Sequence, residues 1–179
     1  MAVTGGAESG IPHMTRRIPL LRKEYRMPNW MKGSLRVRGT IDKLERFFRE
    51  GLAGASEIKP DAVVVERDEY GLIVRGAGAI WVKGTRRAFV DNLDIGIDTP
   101  DDPEETVTAA IPVRQAWTFS EDDWKQISED FHIDVRLYGF ERGEEFEKEI
   151  EVIDGKVTLN HEITYDDYRW ESKMPFLGG

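Results

Sequence analysis

The sequence predicts an α+β fold in which an antiparallel sheet carries two helices on one face, and three observations predict it. Residues 34–39, 133–137 and 145–152 alternate apolar and polar side chains with the period of a strand. Residues 41–52 and 121–131 carry apolar side chains at helical spacing behind capping signals. Asp154-Gly155 separates two β-rich runs in the manner of a tight hairpin.

Taken in order, residues 1–13 are rich in Gly, Ala and Ser and lack periodicity. Residues 16–26 mix Arg16, Arg17, Arg22 and Lys23 with aliphatic residues, so residues 1–26 read as a flexible basic arm. Ordered structure is expected from Met27. Ser34 to Gly39 places Leu35 and Val37 on one face and Arg36 and Arg38 on the other. Thr40 is positioned to cap a helix whose Leu44, Phe47, Phe48 and Leu52 form its apolar side, with Gly51 and Gly54 ending it.

Short strands follow at 62–66 and 71–74, with further strands at 78–82 and 87–91. Asp94 to Glu105, acidic and interrupted by two prolines, reads as a loop. Thr106–Val113 is β-rich, and Pro112 marks its end as an edge or an exit. Ser120 then caps a second helix that begins with three acids and buries Trp124, Ile127 and Phe131. In the next strand Ile133, Val135 and Leu137 oppose Asp134 and Arg136, and a turn is expected at 139–143. The strand at 145–152, the hairpin and a strand at 156–163 close the domain at about residue 165, leaving an aromatic tail at 166–179. The order β-α-ββ…β-α-β-β-β is that of a ferredoxin-like split β-α-β with extra hairpin strands.

Several segments resemble the YubB ferredoxin-like family of phage, prophage and plasmid proteins. They are Met27-Pro28-Asn29-Trp30, the strand ending at Gly39 with its following helix, Trp81…Gly84-Thr85, Thr108-Ala109-Ala110-Ile111-Pro112 and Tyr138 to Phe146. They span most of residues 27–160. After the tryptophan this chain has Met31-Lys32-Gly33, where members usually carry a small polar residue and then Asn. The resemblance implies a mobile-element setting and the cytoplasm of a bacterial host. It implies no catalytic residues.

The residues themselves point to no reaction. Cysteine is absent, which excludes disulfides, thiolate metal sites and cysteine nucleophiles. His13, His132 and His161 lack the spacing of a ligand pair, and the aspartates from Asp91 to Asp102 lack the pattern of a calcium loop. Gly76-Ala77-Gly78 has no third glycine opening a helix, and no serine sits in a G-x-S-x-G elbow. No catalytic, cofactor or metal residue is therefore assigned, and no membrane span is found.

Charge is the distinctive feature. Residues 1–90 hold 17 basic and 10 acidic side chains, whereas residues 91–179 hold 8 and 24. Glu145, Glu147, Glu149 and Glu151 alternate along one strand, so period two aligns them as an acidic row. The expectation is a non-enzymatic protein that binds a basic protein partner through this acidic surface; the mobile-element setting that the resemblance implies adds the expectation of an accessory or host-defence-modulating role. The alternative is a nucleic-acid-binding module using Arg16, Arg17, Arg22 and Lys23 with Arg36, Arg38 and Arg136 on an outward sheet face.

Overall fold

A computed structural model describes Met1 and residues 28–55 and 63–179. The alternating segments become strands and the 3.6-period segments helices. In chain order they are β1 (Trp30–Gly39), α1 (Ile41–Glu50), β2 (Leu52–Gly54), β3 (Val63–Arg67), β4 (Gly71–Val82), β5 (Ala88–Asp98), β6 (Val107–Ala116), α2 (Glu121–Phe131), β7 (Asp134–Glu141), β8 (Phe146–Ile153), β9 (Lys156–Thr164) and α3 (Tyr168–Glu171). Residues 2–27, which hold the basic arm expected at 1–26 apart from Met1, lie outside the described residues, as do residues 56–62.

The described strands form one antiparallel sheet in the order β2-β4-β5-β6-β1-β7-β8-β9, with β3 also on β4. α1 and α2 share one face, where Phe47 of α1 meets Phe131 of α2 edge-on at 5.4 Å. Leu35, Val37, Leu44, Phe47, Phe48, Trp124, Ile127, Ile133, Val135 and Leu137 are all buried between helices and sheet. The amphipathic periods thus identified the core face of β1, α1, α2 and β7, because burying the apolar side is what stabilises each.

The boundaries differ where longer-range pairing takes over from local pattern. β1 starts four residues earlier than its alternation suggests, since Trp30 to Gly33 pair with Gln115, Ala116 and their neighbours on β6. The two expected strands at 71–74 and 78–82 are one long strand, bent by a register shift between Gly76 and Ala79. β5 runs through Asp94 to Asp98, so the acidic loop begins only at Thr99; pairing with Gly71 to Arg75 overrides its poor strand composition. Thr40 has the extended geometry of a cap but its hydroxyl makes no capping hydrogen bond, whereas Ser120 accepts one from the Asp123 N–H. The hairpin at Asp154-Gly155 has both central residues at positive φ, 49° and 69°, as a two-residue turn requires.

Candidate interaction face of the sheet

Away from the helices the sheet presents a polar face, and the ladder sets who meets whom. Across β1 and β7, Ser34 faces Tyr138, Arg36 faces Arg136 and Arg38 faces Asp134. Across β7 and β8, Arg136 faces Glu151, Tyr138 faces Glu149 and Phe140 faces Glu147. The three arginines expected on an outward face are therefore together on it. Two are engaged: Arg38 donates to Asp134 at 2.9 and 2.7 Å, and Arg136 donates to Glu149 at 2.9 and 2.6 Å. Arg136 also lies 3.4 Å from Glu151. Arg36 has no ion-pair partner among the described residues. It borders a depression of about 360 Å³ with Ser34, Arg136, Tyr138, Glu149 and Lys173. Arg16, Arg17, Arg22 and Lys23 lie outside the described residues.

The four-glutamate row needs correction. Glu145 precedes β8 in a turn at φ 58°, so it does not belong to the strand's alternation. Glu147 is only 3% exposed, covered by the C-terminal segment, with Lys173 3.6 Å away. Glu149 and Glu151 are held by Arg136. Spacing along one strand placed Glu147, Glu149 and Glu151 on one face, but a neighbouring strand and the chain terminus compensate them.

That terminus docks through its middle. Tyr168 is buried and donates its hydroxyl to the Leu177 carbonyl at 3.1 Å, and the Gly179 N–H reaches the Trp30 carbonyl at 3.0 Å. Trp170 and Phe176 stay exposed. Burial, reinforced by the Glu147 carboxylate, pushes the Tyr165 phenol well above its ordinary range. Tyr138 is raised by burial and by Glu147, with Lys173 opposing. Lys173 is raised by the Tyr138 hydroxyl, to which it donates at 3.4 Å, and by Glu147. Although both phenols feel Glu147, its Oε2 has no well-formed hydrogen bond among the described residues.

The residues behind the family resemblance have structural roles. Gly139 lies where a Cβ would sit 2.6 Å from Phe119, and Glu141 accepts from the Gly143 and Glu144 N–H groups to close the turn before β8. Trp81 donates to the Thr85 carbonyl at 3.2 Å, and Thr85 bonds Val82 and Ala88 to close the β4–β5 turn.

A second feature had only a faint sequence signal. β5 and β6 pair solely at Ala88↔Gln115 and Phe89↔Arg114. Arg114 clamps this junction, lying 4.5 Å over Trp30 and 5.0 Å over Phe89 and donating to Asp91 at 2.7 Å. Beyond it the strands part around a cleft of about 410 Å³ lined by 95–98 and 107–110. The Ala116 N–H reaches back to Arg87 on the β5 side, while Trp117 donates toward β1 at Asn29. By alternation Thr108 and Ala110 turn their backbone groups into the cleft, and Pro112, between the cleft and the clamp, turns its own to the β5 side. Proline's missing N–H therefore costs β1 no bond, and Pro112 was the signal of an edge. On β5, Thr99 donates to Tyr70 of the β4 side, so Gly96 and Asp98 turn theirs into the cleft and Asp94 turns its own to the β6 side. Asp98, Asp101, Asp102, Glu104 and Glu105 around the β5–β6 loop are exposed and have no ion pair among the described residues.

Among the described residues no three His, Asp or Glu side chains converge as metal ligands, and no helix is long and apolar enough to cross a membrane. No family model matches the chain, and no curated protein or solved structure matches it.

Proposed function

We propose that the protein is a non-enzymatic binding protein that recruits a basic protein partner through acidic surface, and that this surface is the β5–β6 loop rather than the β8 glutamates. One observation carries the reading: the acids from Asp98 to Glu105 are exposed and have no ion pair among the described residues, whereas those of the sheet face are matched by Arg38, Arg136 and Lys173. Unmatched like charge costs the fold something and is useful toward a cation. The core is read as ferredoxin-like. The neighbour order β5-β6-β1-β7, with α1 after β1 and α2 joining β6 to β7, supports that reading. The resemblance of residues 27–160 to YubB proteins extends it to a mobile-element accessory role in the bacterial cytoplasm, such as modulation of host defence.

The competing reading is nucleic-acid binding by the arm and the open face, favoured by Arg36, which has no ion-pair partner among the described residues, beside its depression. Heparin retention compared with anion-exchange retention, with and without residues 1–26, separates the two. Co-purification at low and high salt tests the first. Amide variants of Asp98, Asp101, Asp102, Glu104 and Glu105 should lose the partner, and wild type should lose it as the Debye length falls from about 10 Å at 0.1 M to about 3 Å at 1 M salt. Recovery of the same protein throughout overturns it.

A further inference from the structure

We infer that the split between β5 and β6 receives an extended basic segment of the partner as an added strand. The inference rests on the acidic-surface reading above and names where and how the partner is held.

Two sheet edges face one another across the cleft. Gly96 and Asp98 on β5, and Thr108 and Ala110 on β6, present backbone groups into the cleft that no ladder among the described residues satisfies, and Asp94 and Pro112 continue the two edges toward the clamp. A row of unpaired N–H and C=O groups is a template for another strand, and strand addition gains its affinity from main-chain hydrogen bonds. A single isolated edge is a common hazard that proteins blunt; here two converge within one sheet, held open beyond the Arg114 clamp. A strand between them pairs antiparallel with one edge and parallel with the other, and both ladders are stable.

The walls specify the side chains such a strand should carry. On the helix side, Ile95 and Ile97 of β5 and Val107 and Ala109 of β6 continue the apolar core. On the open side stand Asp94 and Asp98, with the acidic loop beyond. Gly96 lies between the two aspartates, and a Cβ there would meet nothing within 4 Å. A guest alternating small apolar and basic residues turns the first toward the core and the second toward the aspartates. Charge complementarity assigns the cleft to an extended basic segment of the partner.

The test uses the full chain and two labelled probes of equal charge. One is Arg-Val-Arg-Val-Arg-Val-Arg; the other is the same peptide N-methylated at its three valines, which cannot donate along one edge. Fluorescence anisotropy should show the methylated peptide binding about tenfold or more weaker, the loss expected from several main-chain bonds. Backbone amide exchange at Asp94, Gly96, Asp98, Thr108 and Ala110 should slow only with the unmethylated peptide. Equal binding of both overturns the added strand while leaving an electrostatic partner intact. Failure of the amide variants to lose the native partner, with the methylation effect preserved, overturns the acidic-loop reading instead. If those five amides are already protected in the peptide-free chain, the chain's own residues fill the cleft and the proposal is overturned.

Discussion

Arg136 bonds diagonally across the β7–β8 ladder to Glu149, donating at 2.9 and 2.6 Å, although the residue directly opposite it is Glu151. One guanidinium so spans two glutamates of the row, its third nitrogen 3.4 Å from Glu151, and its own charge is held raised by Glu149 first. The β1–β7 register sets Arg36 directly opposite Arg136. Like charges at such positions repel, and the glutamates relieve both sides at once.

Arg136→Gln should therefore act through screening. Arg136 is about half exposed, so the loss should be about 1 kcal/mol or less at low salt. It should fade near 1 M salt, where the Debye length is about 3 Å. Urea melts at two ionic strengths check this. A larger loss that ignores salt would mean the side chain matters by packing.

The tail contact predicts a pH dependence on the alkaline side. Tyr165, Tyr138 and Lys173 all hold their protons longer when folded. Their contribution is complete below the unfolded values, about 10 for tyrosine and 10.4 for lysine, and is lost as the pH rises through the folded ones. Tyrosine absorbance at 295 nm should show a late-ionising class in wild type. Glu147→Gln should bring part of that class earlier and leave the rest, because burial is the larger cause for Tyr165. An unchanged titration would separate Glu147 from the phenols.

Gln115 is buried and accepts from the Trp124 indole at 2.9 Å while donating to Asp123 at 2.8 Å. Gln115→Leu strands the indole N–H in the core and should cost about 1–3 kcal/mol. Gln126→Leu, which removes an exposed bond to Asp130, should stay within about 0.5 kcal/mol. Denaturant midpoints compare them directly.

Phe47 is fully buried between Phe48 and Phe131. Phe47→Ala should cost about 3–5 kcal/mol, as large-to-small aromatic changes in cores do. Phe176→Ala, at a ring 90% exposed, should leave the thermal midpoint nearly unchanged. Comparable midpoints for the two variants would contradict the packing of α1 on the sheet.

Local pattern alone determined which side of β1, α1, α2 and β7 is buried. Leu35, Val37, Leu44, Phe47 and Trp124 could be placed from periods of 2 and 3.6, because a backbone of fixed geometry sends those side chains to one face. The Asp154-Gly155 turn was legible for the same reason, since its chemistry lies within two residues. Period two also aligned Glu147, Glu149 and Glu151 correctly. What that row faces was decided only in three dimensions: Arg136 arrives from the neighbouring strand and Lys173 from a segment 26 positions along the chain. The cleft shows the same division. Pro112 announced an edge, but only the assembled sheet shows that β6 pairs with β1 on one side and parts from β5 on the other. Side-chain direction follows from bonds between adjacent residues, whereas strand order, charge compensation and the opening between strands follow from contacts among residues far apart in sequence, which no local pattern encodes.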